Sequence, residues 1–274
     1  MILSKDPQSS PVEFIENDRC ALQVQQLSAG YAGHRQAIHD VSFTVNRGER
    51  LAVIGPNGAG KSTLFKALAG IIPHTSGNVS TYGLDCRTSH TLIGYVPQYE
   101  EVDWQFPATV FDVVMMGRIR KIGWLRFPRK VDRDGVYSTL EQVGMAHLSN
   151  RQIGQLSGGQ KRRVFIARAL VQETDIILLD EPFSGVDVNA EDEIMETLEH
   201  LNRTGITIIL STHDLQTAST RFDRLMLINQ QLIAIGKPED VFTPSNLRQA
   251  YGGAVSVFQQ GNEMLIFSDE HDHA

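Results

Sequence analysis

Gly55-Pro56-Asn57-Gly58-Ala59-Gly60-Lys61-Ser62-Thr63 is the stretch whose reading decides the fold. It carries glycine, four residues, then Gly-Lys-Ser, the spacing of a loop that cradles phosphates. The flanks agree. Leu51-Ala52-Val53-Ile54 is a short apolar run that predicts a buried strand, and Leu64-Phe65-Lys66-Ala67-Leu68-Ala69 predicts a helix directly after the loop. Glycines at 55, 58 and 60 let the backbone turn tightly, so that successive N–H groups point inward beside the helix N-terminus. Lys61 supplies a positive charge for the β- and γ-phosphates of a nucleotide, and the Ser62 hydroxyl is a hard oxygen ligand for Mg²⁺. All nine residues of the loop are expected to line the phosphates.

Outward from the loop, Leu22, Val24 and Leu27 predict one strand and Ala37 to Val45 contains a second, with a turn at Asn46-Arg47-Gly48-Glu49. Pro73 to Asn78 has the composition of another turn. Ile93 to Val96 predicts a strand that ends at Pro97-Gln98. From about 107 to 170 the apolar spacing becomes helical, as in Val110, Val113 and Val114, then Val136, Leu140 and Val143. Buried strands are predicted at Ile176–Leu179 and Ile206–Leu210, and helices at Asn189–Leu201 and Leu215–Phe222. Hairpins are predicted over Leu225–Ile235 and around Gln260-Gly261-Asn262.

Asp180-Glu181 follows a predicted buried strand, which sets both acids at the mouth of a parallel sheet. Asp180 is placed to hold Mg²⁺. Glu181, one residue further out, can orient and deprotonate an attacking water. Leu156-Ser157-Gly158-Gly159-Gln160 opens another helix, and its serine and glycines expose backbone donors: a second anion site far along the same chain.

On residues 55–63, 180–181 and above all 156–160, the chain resembles the nucleotide-binding subunits of ATP-binding cassette (ABC) transporters, over residues 20 to about 245. The resemblance implies an α/β fold: a P-loop NTPase (RecA-like) core with an antiparallel β subdomain and an inserted α-helical subdomain. It implies a flexible extension at 1–18, an ATPase domain at 19–250 with the helical insert at about 99–170, and a C-terminal hairpin and polar tail at 251–274. It assigns Tyr31 to stacking on adenine, Gln98 to sensing Mg²⁺ and the attacking water, and Ser184-Gly185-Val186-Asp187 to a loop at the dimer interface, with Asp187 near the nucleotide. Val186 stands where family members often have leucine. His213 matches the residue on the γ-phosphate. Ser157, Gly158, Gly159 and Gln160 bind the ATP held by residues 55–63 of a second copy. The implied catalytic set is Glu181, His213, Gln98 and Lys61, with Ser62, Gln98 and Asp180 around Mg²⁺.

The same resemblance implies a homodimer working under two integral membrane permease subunits, at the cytoplasmic face of the membrane, with an external binding protein supplying the load. The region Tyr99 to Arg118 resembles manganese and zinc importers more than amino-acid or sugar importers, and manganese ranks first. Importers of iron chelates or other small solutes, and soluble ABC proteins without a transport role, are the competing readings. Trp104, Phe106 and the acids 100, 101 and 103 are candidates for the groove that receives the permease, with packing of the insert against the core as the other reading for the two aromatics.

Composition excludes little beyond this. Hydrophobic residues make up 41% of the 274, ordinary for a globular core, and the net charge of −7 gives no sign of a nucleic-acid partner. No apolar run is long enough to span a bilayer, and the N-terminal stretch has no signal-peptide pattern. Cys20 and Cys86 fit no metal or redox spacing. The basic residues Arg118, Arg120, Lys121, Arg126, Arg129, Lys130 and Arg133 read as a solvated face, with anionic headgroups or a partner as the other reading. Asp269-Glu270-His271-Asp272-His273 reads as a disordered polar tail, with weak binding of divalent ions as the other reading.

Overall fold

A computed structural model describes residues 19–31, 36–85, 92–123, 125–252, 255–260 and 263–268. The expectations for residues 1–18 and for the tail from Asp269 to His273 lie outside these. The strand before the phosphate loop, β3 (Arg50–Ile54), is the pivot. It lies in a six-stranded sheet with β6 (Ile93–Val96), β7 (Ile176–Asp180), β8 (Thr207–Thr212), β9 (Arg224–Asn229) and β10 (Gln231–Gly236), in the order β10-β9-β3-β8-β7-β6. All neighbours are parallel except β10, which returns from β9 as the expected hairpin. Strands covered on both faces need no polar alternation, and β7 and β8 are buried at every position. That is why they read as uninterrupted apolar runs.

Parallel pairing brings the carboxyl ends of these strands to one rim. Ile54 pairs with Thr212, Asp180 with Ser211 and Val96 with Leu179. The segments that leave those ends, 55–63, 97–98, 181 and 213, therefore gather at the same edge.

A second sheet, antiparallel, has the order β2-β1-β4-β5, from β1 (Cys20–Ala29), β2 (Ile38–Asn46), β4 (His74–Thr81) and β5 (Leu84–Asp85). Its inner residues Leu22, Val24, Val41 and Val45 form one core with Leu64, Phe65 and Leu68 of α1 (Lys61–Leu68) and with Leu51 and Val53 of β3. The turn expected at Pro73–Asn78 is corrected here. The segment is the first half of β4, paired to β1 through Ala29–His74 and Ser28–Ser76. Gly77 (φ +92°) marks a bulge, where a Cβ would lie 2.4 Å from the Gln26 carbonyl oxygen. Turn-like composition thus reflects a bulged strand held by its neighbour.

Between β6 and β7 the chain is helical, as expected: α2 (Val110–Met116), α3 (Ile119–Ile122), α4 (Lys130–Gln142) and α5 (Gly158–Leu170). They pack their apolar faces, Val110, Val114, Val136, Leu140, Val164 and Ile166 among them, into a second core on the other side of the large sheet. Thr109 and Asp112 form a capping box at the start of α2. Arg118 departs from the solvated face expected for the basic cluster. It is 8% exposed and is held by Asp132 at 2.9 Å and Glu173 at 2.7 Å. A buried guanidinium requires such partners. The chain then runs through α6 (Val188–Arg203) and α7 (Leu215–Arg221), and after β10 through the short helices α8 (Pro238–Val241) and α9 (Pro244–Tyr251). The last hairpin, β11 (Val255–Gln260) and β12 (Glu263–Ser268), pairs Gln260 with Glu263 as expected.

Candidate active site

The phosphate loop is pressed between its neighbours. A Cβ at Gly55 would stand 2.1 Å from the Ile228 carbonyl oxygen, and one at Gly60 2.4 Å from the Ile38 side chain. Gly60 also has φ +93°, and it begins α1 with no side chain capping the helix. By contrast α2, α5 and α6 have their first turns closed by Thr109, Ser157 and Asp187. The uncapped N–H groups of α1 and the curl of the loop fit a phosphate group. Lys61 is 5% exposed and folds back over the loop, donating to the carbonyls of Gly55 at 2.7 Å and Pro56 at 3.2 Å. Burial lowers its pKa, and the nearby carboxylates of Glu181 and Asp180 act the other way.

Across the rim, Asp180 is fully buried and its two oxygens are held apart. Ser211 donates to Oδ1 at 2.7 Å and Tyr95 donates to Oδ2 at 3.3 Å. Burial, then the charges of Asp180 and Glu101, push the Tyr95 hydroxyl far above its ordinary pKa, so it stays a donor. Ser211 also accepts from the Glu181 N–H at 2.9 Å. Glu181 itself has φ +46°, in the left-handed region that favours glycine. Such a backbone costs a few kcal/mol, on the order of 1–3, and persists only where its surroundings impose it. The turn brings the carboxylate between the Lys61 ammonium and the His213 imidazole, with Oε1 4.0 Å from Lys61 Nζ and Oε2 3.8 Å from His213 Nδ1. His213 is exposed, and with Glu181, Phe183, Ser184 and Asp214 it lines a small cleft.

Gln98 leaves the end of β6 and its amide stands 3.3 Å from Ser62 Oγ. Ser62, Gln98 and Asp180 supply hydroxyl, amide and carboxylate oxygens, a hard donor set that fits Mg²⁺. Beyond Gln98, Glu101 pairs with Lys66 of α1 at 2.5 Å. The Lys66 pKa is set by burial, which lowers it, against the stronger combined pull of Glu101 and the Tyr31 hydroxyl, which raise it. Tyr31 therefore stands beside α1, half exposed, where a ring can lie flat against a base. Tyr31→Ala is expected to weaken nucleotide binding by about 1 kcal/mol, the worth of one stacking contact. Titration with a fluorescent ATP analogue checks this, and unchanged affinity would move the adenine platform elsewhere.

The other expected phosphate site stays apart. Ser157 caps α5, accepting from Gln160 N–H at 3.3 Å while Gln160 accepts from Ser157 N–H at 3.1 Å. Gly159 lies against Ala190, where a Cβ would be 2.8 Å from the alanine Cβ, and Gly158 lies against Val186. Asp187 caps α6 through the Ala190 N–H at 3.0 Å. Among the described residues no hydrogen bond or ion pair joins 156–160 or Asp187 to the loop at 55–63. Within one chain, then, Lys61, Ser62, Gln98, Asp180, Glu181 and His213 come together, while Ser157–Gln160 and Asp187 form a separate surface.

Three contributors were not assigned roles by sequence reading. Ser211 ties Asp180 to Glu181, Tyr95 holds the second Asp180 oxygen, and Arg162 donates to the Ser184 carbonyl at 3.1 Å. Only strand register puts Ser211 opposite Asp180, and no local pattern announces it. Trp104 follows the packing alternative. It stacks on Tyr99 with centroids 4.7 Å apart, meets Phe165 at 5.0 Å, and its indole N–H donates to the Tyr99 carbonyl at 2.9 Å. Phe106 remains more than half exposed.

Comparison with known proteins adds four findings. The family model described as "ABC transporter" matches residues 38–184. The manganese transport system ATP-binding protein MntB of Bacillus subtilis (strain 168) is 48% identical over 225 residues, 82% of this chain and 90% of that protein. The zinc transport system ATP-binding protein TroB of Treponema pallidum (strain Nichols) is 43% identical over 92% of this chain and 94% of its own length. Among solved structures, a nucleotide-free ATP-binding cassette from an ABC transporter superposes with a TM-score of 0.74 at 26% identity, covering 83% of this chain and 97% of that one.

Proposed function

The chain belongs to the ABC transporter family, and from that premise we propose that it is the ATP-hydrolysing subunit of a prokaryotic importer of divalent metal ions, manganese or zinc. The observation that carries the metal is the pair of relatives above, named for manganese and zinc transport and matched along nearly their whole lengths. The observation that supports the chemistry is the convergence of Lys61, Glu181 and His213 within 4.0 Å steps at the rim of the parallel sheet.

In this reading Lys61 exchanges the Gly55 and Pro56 carbonyls for the β- and γ-phosphates of ATP. Glu181, held at its strained angle by Ser211, orients a water and takes its proton. His213 steadies the γ-phosphate on the exposed side. Gln98, beside Ser62, reports the state of the phosphates to the helical insert. Ser62, Gln98 and Asp180 would hold Mg²⁺, which would supply charge neutralisation of the phosphates. Two copies sandwich each ATP between residues 55–63 of one and 156–160 of the other, with Asp187 at their interface. This accounts for a second phosphate-binding helix start that stays clear of the loop within one chain. Since the γ-phosphate touches both copies only when they close, hydrolysis removes the differential contact that holds them together.

The relatives' names call them ATP-binding proteins of transport systems, so the proposal assigns the ion path to two permease subunits. The ATPase pair sits peripherally on their cytoplasmic face, and an extracytoplasmic protein delivers the ion. Detergent extraction of the tagged chain from its own cells tests this. Stoichiometric co-purification of a polytopic membrane protein is expected. Recovery of the chain alone, from membranes and cytosol alike, would favour a soluble role.

A further inference from the structure

The segment between α2 and α4 combines features that the ATPase reading does not use. From residue 119 to 133 it holds Arg120, Lys121, Arg126, Arg129, Lys130 and Arg133 against one carboxylate, Asp132, in a chain whose net charge is −7. Asp132 is already committed. Its Oδ1 lies 2.9 Å from Arg118 and its Oδ2 accepts from the Arg129 N–H at 3.0 Å. Arg118 is tied in turn to Glu173 and to the Val171 carbonyl, and Lys121 pairs with Glu173. Because Arg118 and Asp132 are 14 positions apart, their buried pair closes the base of the segment. What lies between is presented from a fixed foot. Arg120, Arg126, Lys130 and Arg133 make no ion pair among the described residues.

At the tip of this basic segment Leu125 is 95% exposed and Phe127 92%, with Ile119 and Val131 also more than half exposed. Scattered surface apolar residues need no explanation, but large ones standing almost wholly in water on a clamped segment do. The complementary partner is apolar within and anionic at its surface. Nucleic acid supplies the charge without a place for Leu125, whereas a lipid bilayer supplies both.

We propose that residues 119–123 and 125–131 form a membrane-contacting finger, which sets Leu125 and Phe127 into the interfacial layer of an anionic bilayer while the basic side chains meet the headgroups. Lys and Arg suit this task because their apolar stems can lie along the hydrocarbon boundary with the charge in the headgroup layer. The importer reading enters only in placing a bilayer within reach. The test uses no permease, so its failure would leave that reading standing.

The test is flotation of the purified full-length chain with vesicles of phosphatidylcholine alone, or of phosphatidylcholine mixed with phosphatidylglycerol. Wild type is expected to float with the mixed vesicles at low salt, to stay behind with the neutral ones, and to be released as salt screens the headgroups. Leu125→Ser combined with Phe127→Ser is expected to lower binding on the order of a hundred-fold, about ten-fold for each side chain, with ATP hydrolysis unchanged as the check on folding. Arg126→Ser and Lys130→Ser are each expected to lower it about five-fold. No flotation of wild type with the mixed vesicles, or equal flotation of the Leu125→Ser/Phe127→Ser variant, would overturn the proposal.

Discussion

Lys61→Ala is expected to abolish productive ATP binding and bring hydrolysis down to background. Lys61 is 5% exposed at the rim, and in the structure it is held by backbone carbonyls of the loop it serves. Burial lowers its pKa while the carboxylates of Glu181 and Asp180 act the other way, and a phosphate at its tip would favour the charged form further. Removing a preorganised donor aimed at developing charge costs on the order of a hundred- to a thousand-fold in rate, and here ground-state affinity is lost as well. The variant loses the Lys61 bonds to the Gly55 and Pro56 carbonyls, while the close approaches of Gly55 to Ile228 and Gly60 to Ile38 do not involve Lys61. Equilibrium titration with a nucleotide analogue, alongside a melting curve, separates lost binding from lost folding. Wild-type affinity in a folded Lys61→Ala protein would sink the assignment of the loop.

Glu181→Gln is expected to have the opposite signature, with binding kept and turnover lost. Glutamine has the same size and can keep the backbone bond to Ser211, so the strained turn at φ +46° is retained. What disappears is the base. Loss of a positioned general base costs on the order of a hundred- to ten-thousand-fold. With hydrolysis stalled, ATP should hold two copies together, and the variant should run as a dimer in ATP and as a monomer without nucleotide. Hydrolysis near the wild-type rate would remove Glu181 from the chemistry.

The parts of the site legible in the sequence were those whose signal is local. Residues 55–63 announce themselves because glycine spacing, lysine and the following helix are contiguous. Asp180-Glu181 is readable because it follows an apolar run, and parallel strands deliver such positions to one rim, whereas His213 is assigned by the family resemblance. Ser211 and Tyr95 were not assigned, since their partner Asp180 lies on other strands and only register makes the pairs. The left-handed backbone of Glu181 has no sequence signal either, because it is imposed by Ser211 and by the turn through Ser184, whose N–H returns to the Glu181 carbonyl. In the fold, the misread segment was His74–Asn78, where composition favoured a turn and pairing with β1 made a strand. Arg118 departs from its expected place for a similar reason: its partner Glu173 lies just past the end of α5, 55 positions away.

The measurement that tests the central claim most directly is metal accumulation in cells of the source organism whose only copy of the protein carries Glu181→Gln. Mn²⁺, Zn²⁺ and Fe²⁺ are supplied singly at limiting concentration and compared with cells carrying wild type, with equal protein levels verified. Selective loss of Mn²⁺ or Zn²⁺ uptake is the predicted result, and it names the ion. Unchanged accumulation of all three would contradict the metal-importer account while leaving the ATPase site intact.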